Sequence, residues 1–165
     1  AYAKLIAYLT ESRERNRMIL QDLEGNREHY NLILSDRLEH LRVLMEGLPG
    51  ELQGQAVMID GRMTSKRARE AREQAIEDMR AGRKHYLFAS YALAKEGLDI
   101  PRLDRLYMTT PQGDYAVVTQ SVGRVARTAP GKDGAVCYDY VDSIAFCENK
   151  WKRRRAHYRK AGCIL

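Results

Sequence analysis

The sequence predicts an α/β fold: a three-layer α/β/α domain built on an open, mostly parallel sheet. Five short apolar runs, at 30–34, 55–60, 85–91, 104–109 and 135–141, alternate with helical patterns along the chain. Strand–helix–strand alternation implies a parallel sheet covered by its crossover helices. Several runs are continuously apolar instead of alternating, as strands buried on both faces are.

Taken in order, residues 2–24 carry Leu5, Leu9, Leu20 and Leu23 at helical spacing among many charges, and Gly25-Asn26 ends that segment. The first strand follows at 30–34. Leu38, Leu41, Met45 and Leu48 then mark one face of a helix over 37–48, closed by Pro49-Gly50. Gln55 to Asp60 is the second strand, with Asp60-Gly61 as its exit. Thr64 is the expected N-cap of a helix over 65–81 that packs through Ala68, Ala71, Ala75 and Met79. Gly82 stops it. His85 to Tyr91 is the third strand, a loop carries Lys95 to Pro101, and Asp104 to Thr109 is the fourth strand. After the turn Pro111-Gln112-Gly113, Asp114 caps a helix that Pro130-Gly131 terminates. Ala135 to Val141 is the fifth strand. The last helix, from Ser143 to about Lys160, has Ile144, Cys147, Trp151 and Tyr158 on its apolar side and a dense run of cations elsewhere: Lys152, Arg153, Arg154, Arg155, Arg159 and Lys160. Those charges are open to nucleic acid, a partner domain or water.

At 165 residues the chain is read as one domain, 1–165, with length enough for a core. No apolar run reaches the length of a membrane span, and the N-terminus lacks a signal-peptide pattern. A start at alanine leads us to expect a segment of a longer protein. The net charge of +6 favours polyanionic partners such as nucleic acid. Cys137, Cys147 and Cys163 lack metal-ligand spacing and read as reduced packing cysteines, which places the protein in the cytoplasm or at the nucleoid. None of the four histidines pairs at i, i+4 with another His or Cys, so no metal site is expected.

The chemistry concentrates in Gln120-Ser121-Val122-Gly123-Arg124-Val125-Ala126-Arg127, a Q-x-x-G-R-x-x-R run. On a helix, Gln120, Arg124 and Arg127 share one stripe, while Tyr115, Val118, Val122 and Val125 lie roughly opposite on a packing stripe. Two forked guanidinium groups at fixed spacing suit a polyphosphate; a solvated charged face is the plain alternative. In an open parallel sheet, ligands bind beyond the carboxyl ends of the strands. Ser35-Asp36, Asp60-Gly61-Arg62, Ser90-Tyr91 and Thr109-Thr110 all follow strands and are expected along one edge.

The octet resembles motif VI of the superfamily 2 helicases and translocases. Ala94-Lys95-Glu96-Gly97-Leu98-Asp99-Ile100-Pro101 resembles their motif V, and Asn31-Leu32-Ile33-Leu34-Ser35-Asp36-Arg37 their motif IV, in the family's order. The resemblance covers about Tyr30 to Arg127 and implies the C-terminal, second RecA-like domain of such an enzyme. It implies that Arg124 and Arg127 are catalytic, reaching the γ-phosphate of ATP held by a neighbouring N-terminal RecA-like domain, one of them as an arginine finger. It implies that Gln120, Gly97 and Asp99 face the nucleotide, Asp99 at the ribose hydroxyls, and that Ser35, Arg37 and Ser90 line the nucleic-acid groove; Arg62, which follows the second strand, is expected on the same groove from the topology alone. Read on their own residues, Gly97-Leu98-Asp99 is equally an ordinary turn, Asp36 a helix cap, and Arg62 part of a solvated loop. The A-K-E-G-L-D form of motif V leans towards DNA over RNA.

No G-x-x-x-x-G-K-[ST] loop or D-E-x-H segment occurs in the chain. ATP and Mg2+ are therefore expected as cofactors of the full-length protein and not of this chain alone, which is expected not to hydrolyse ATP by itself. The competing reading is a non-catalytic nucleic-acid-binding module that keeps a helicase-derived fold.

Overall fold

A computed structural model of the chain describes all residues except Arg62, Met63 and Gly97. Its five strands are β1 (Asn31–Ser35), β2 (Ala56–Ile59), β3 (Tyr86–Ser90), β4 (Arg105–Met108) and β5 (Val136–Asp139). They form one sheet in the order β2-β3-β1-β4-β5, with every pairing parallel. The eight helices among the described residues are α1 (Tyr2–Glu11), α2 (Arg13–Gly25), α3 (Leu38–Glu46), α4 (Gly50–Gln53), α5 (Lys66–Arg80), α6 (Tyr91–Lys95), α7 (Tyr115–Val125) and α8 (Ala145–Lys160).

The three layers follow from strand periodicity. Leu32, Leu34, Leu87, Ala89, Leu106 and Met108 point to one face and pack with residues of α5, α6, α7 and α8. Ile33, Tyr86, Phe88 and Tyr107 point to the other and pack with residues of α2, α3 and α4. The central strands β1, β3 and β4 are almost wholly buried, whereas β2 and β5, at the edges, are half-exposed. That explains why the central runs are continuously apolar.

Several sequence expectations shift. The N-terminal segment is two helices, not one, because Ser12 takes an extended conformation and its side chain accepts from the backbone N–H of Arg15 at 3.3 Å. Residues Ile6, Leu9, Ile19 and Leu23 form the buried side, one position out of step with the predicted Leu5 and Leu20. Ser65, not Thr64, caps α5, accepting from the N–H of Ala68. The packing side of that helix is Ala75, Ile76 and Met79, and Ala71 is exposed. Asp114 caps α7 as expected, accepting from the N–H of Val117 at 2.9 Å. Tyr115 stands 52% exposed, so it is not part of the packing stripe, which Val117, Val118, Val122 and Val125 provide.

The largest departure is Arg154. It is 1% exposed, in the middle of what reads as a solvent-facing cationic run. Its guanidinium donates twice to the Asp139 carboxylate, each bond 2.7 Å, and once to the carbonyl of Gln112 at 3.0 Å. Tyr158 adds a bond to the same carboxylate at 2.6 Å. A buried cation is tolerated only when paired and hydrogen-bonded in this way. Arg154 thereby ties α8 to the end of β5 and to the loop that leads into α7.

Candidate nucleotide and nucleic-acid interface

The loops after β1, β3 and β4 meet at the carboxyl edge of the sheet, as the parallel topology requires. Ser35 pairs in register with Ser90. The hydroxyl of Thr110 donates to Asp36 Oδ2 at 2.8 Å and accepts from the backbone N–H of Asp36 at 3.0 Å. Tyr91 donates to the carbonyl of Thr110 at 2.9 Å. The Asp36 carboxyl also takes a long bond from Tyr2 at 3.4 Å. Desolvation raises its pKa, against the hydrogen bonds from Thr110 and Tyr2 and the nearby charges of Arg37 and Lys150, which lower it. Asp36 is therefore not the cap of α3. Arg37 occupies the N-cap position without a side-chain capping bond.

Ser35 and Arg37, both predicted to line the groove, behave differently. Ser35 is fully buried; its Oγ accepts from the N–H of Arg37 at 3.2 Å and lies 2.9 Å from His40 Nδ1. Its hydroxyl shapes the loop from beneath and is not presented to a ligand. Arg37 is exposed, and among the described residues its guanidinium makes one hydrogen bond, a 3.4 Å contact with the carbonyl of Ala3. Ser90 is half-exposed at the start of α6 and makes no side-chain capping bond. Arg62 and Gly97 lie outside the described residues.

Gln120, Arg124, Arg127 and Asp99 collect on a different part of the domain. Because α7 links two parallel strands, it runs back against them, so its C-terminal end points away from the carboxyl edge. The arginines do not share that edge. Arg124 is half-buried, and its Nε donates to the carbonyl of Ala94 in α6 at 2.7 Å. Arg127 lies past the helix, which ends at Val125 with Ala126 as its cap, and it forms an ion pair with Asp99. The side chains of Arg127 and Asp99 are 53% and 66% exposed. A pair so exposed is worth only about 0–1 kcal/mol, so either member is readily given up to a stronger ligand. Gln120 is exposed one helical turn before Arg124. Asp99 also lines a cavity of about 770 Å³ with Arg102, Asp104 and Lys132, where the chain enters β4 and β5.

Lys132 was not singled out by the sequence. Its ammonium donates to the carbonyls of Val125 at 2.7 Å, Pro101 at 3.3 Å and Arg127. It fastens the end of α7 to the segment that follows Asp99. A lysine shortly beyond a helix end suits the exposed carbonyls and the negative end of the helix dipole, and that was the signal available. Gly123 meets nothing within 4 Å of an added Cβ, so packing does not dictate it. Among the described residues, no group of three or more His, Cys, Asp or Glu side chains is arranged to hold a metal ion, and no helix is long and apolar enough to cross a membrane.

The Helicase conserved C-terminal domain family model matches residues 13–129. The fold is similar to that of S. cerevisiae Dbp5 bound to RNA and ADP BeF3, with a TM-score of 0.67 and 20% identity over 92% of this chain and 37% of that one. It is similar to the C-terminal domain of the DEAD-box protein Dbp5, with a TM-score of 0.69 and 21% identity over 93% of this chain and 82% of that one. T4 UvsW gives a TM-score of 0.69 and 15% identity over 98% of this chain and 35% of that one. The chain thus spans about a third of the length of the longer structures, 37% and 35%. No curated protein sequence matches. Five parallel strands between two helical layers are the architecture of a RecA-like domain, the matched span runs from α2 to just past α7, and the chain belongs to the helicase conserved C-terminal domain family.

Proposed function

We propose that the domain is the second motor domain of an ATP-dependent nucleic-acid helicase or translocase. The reading rests on one arrangement: Gln120, Arg124, Arg127 and Asp99 on the flank of α6 and α7, apart from the strand-end loops. A flank offering two guanidinium groups, a carboxylate and an amide, with no glycine-rich phosphate loop, suits one half of a composite nucleotide site. The triphosphate and Mg2+ would be held by a second RecA-like domain, and Mg2+ would supply charge neutralisation between phosphate oxygens. Arg124 and Arg127 would offset the negative charge that develops as the γ-phosphate departs. Asp99 would turn from Arg127 to the ribose hydroxyls as Arg127 turns to the phosphate.

At the carboxyl edge, Arg37 and the loops after β1, β3 and β4 would grip the phosphate backbone. Such contacts carry little sequence information and depend strongly on salt. The K-E-G-L-D form of motif V puts DNA ahead of RNA; competition between single-stranded DNA and RNA of equal length tests that preference.

The deciding experiment joins this domain to an ATP-binding RecA-like partner in one polypeptide. Arg127→Ala should lower ATPase turnover by about 10³-fold or more, the range of arginine fingers, with ATP binding nearly intact. Unchanged turnover removes Arg127 from the mechanism. It would also favour the alternative, a non-catalytic nucleic-acid-binding module that keeps the fold.

A further inference from the structure

The C-terminal helix α8 lies outside the span of the family match, 13–129, and its cations fall into two sets once Arg154 is assigned to the core. Phe146, Lys150, Arg153, His157 and Lys160 recur at intervals of four, three, four and three residues and so share one stripe. Lys152, Arg155 and Arg159 lie on the opposite flank, with the buried Cys147, Arg154 and Tyr158 between the two. Only the first set adjoins the carboxyl edge. Gly113, in the loop after β4, lies under Lys150 and Arg153: a Cβ there would come within 2.8 Å of Lys150 Cδ and 3.3 Å of Arg153 Cδ. The Lys150 charge reaches Asp36 in the loop after β1. Its ammonium lies 5.4 Å from the centre of the Phe146 ring, and that ring packs edge-on against Tyr2, which bonds to Asp36. Further along, Tyr115 stands 52% exposed between the His157 ring and the Lys160 ammonium, which sits 5.6 Å from its centre. Among the described residues, no ion pair engages Lys150, Arg153 or Lys160.

We infer that this stripe of α8, with Tyr115 at its side, is a single-stranded nucleic-acid track that extends the strand-end groove beyond the conserved domain. It rests on the reading of the carboxyl edge as the nucleic-acid face. Cations outside any ion pair, spaced along a helix, follow a phosphate backbone, and an exposed aromatic ring among them offers a face on which a base stacks, the combination that single-strand binders use. A membrane surface fits less well. The stripe carries one half-buried phenylalanine and no apolar row for insertion, and it abuts the loops of motif IV.

The test uses the 165-residue chain and a fluorescent oligothymidylate about twenty nucleotides long, titrated between about 0.1 and 1 M salt. Each phosphate neutralised on a single strand contributes about 0.7 to the slope of log affinity against log salt. The triple variant Lys150→Gln/Arg153→Gln/Lys160→Gln should lose about two from that slope and bind roughly a hundredfold more weakly at 0.1 M. The triple variant Lys152→Gln/Arg155→Gln/Arg159→Gln removes the same charge from the same helix and should bind within about threefold of the parent, since it vacates no phosphate site. Tyr115→Leu should weaken binding by about fivefold or more with the slope unchanged, as loss of a stacking platform does. Equal losses in the two triple variants would reduce the effect to net charge and overturn the inference. A first triple variant that binds like the parent would overturn it while leaving the strand-end groove in place. A parent chain that binds anionic lipid vesicles but no oligonucleotide would remove both the track and the groove reading.

Discussion

His40 sits 2% exposed beneath the first strand-end loop, and its protonation state holds that loop to the N-terminal helices. Its Nε2 lies 2.8 Å from Asn16 Oδ1, an acceptor, because the Asn16 amide nitrogen donates to the carbonyl of Thr10. Nε2 therefore carries the proton, and Nδ1 is left to accept from the hydroxyl of Ser35, which itself accepts from the N–H of Arg37. The relay from Arg37 through Ser35 and His40 to α1 and α2 works only with a neutral ring. Burial, and then the charge of Arg15, pull the His40 pKa down from 6.5 to about 4. The folded-state value is depressed, so the stability is fully present above about pH 6.5. As pH falls, the unfolded chain takes up a proton that the native ring refuses, and stability declines until about pH 4. The span corresponds to about 3 kcal/mol. Urea unfolding at several pH values across that window should show the decline in the parent chain and lose most of it in His40→Gln. An identical decline in both proteins would assign the acid sensitivity to other groups.

At the scale of elements, α7 shows both what local signals carry and where they stop. Its start was legible because Asp114 is a short-range cap, and its buried valines recur at helical spacing. Its end was not, since the same periodicity runs on through Ala126 to Arg127, yet nothing apolar beyond Val125 holds those residues to the core. What fixes the departing chain is Lys132, whose ammonium spends its donors on the carbonyls of Val125, Arg127 and Pro101. Removing it leaves carbonyls without partners, a local loss of about 1–2 kcal/mol. Lys132→Met should therefore speed amide hydrogen exchange over 124–131 by about tenfold, with exchange in β1 and β4 little changed. Unaltered exchange over that segment would mean that the lysine does not restrain Arg127. The same contrast holds elsewhere. The helices α3, α5, α7 and α8 and the central strands were legible from period and composition, whereas the short helices α4 and α6 were not, being too brief to show a helical period. The choice of Arg154 over its neighbours was not, because it depends on Asp139 and Gln112, partners on other elements. The break at Ser12 was hidden within a uniformly charged stretch. Ser35 read as a ligand residue because its type and place allowed it, and only the packing of His40 beneath it turns the hydroxyl inward. The facing of Arg127 and Asp99, 28 residues apart, is likewise a product of topology.

On the scale of the whole molecule, the sheet holds two polar surfaces apart. The loops after β1, β3 and β4 occupy the carboxyl edge, while α7 carries Arg127 back towards the start of β4 and β5. Five residues of β1 span about 16 Å, beyond the screening length of about 10 Å at 0.1 M salt. Charges on the two surfaces should therefore ignore each other in a single domain, and any coupling between nucleotide and nucleic acid would come from closure against a partner domain. A double-mutant cycle in the isolated chain tests this. Arg37→Ala should weaken oligonucleotide binding, Arg127→Ala should leave it within about twofold, and the coupling between them should stay below about 0.5 kcal/mol, as for distant independent sites. When the domain is joined to an ATP-binding partner and an ATP analogue is bound, the same cycle should show coupling above that level, since on the proposed reading closure would depend on Arg127 and present Arg37 to the strand. Coupling already present in the isolated chain would place both arginines on one continuous surface. Linkage between nucleotide and nucleic acid would then need no interdomain movement.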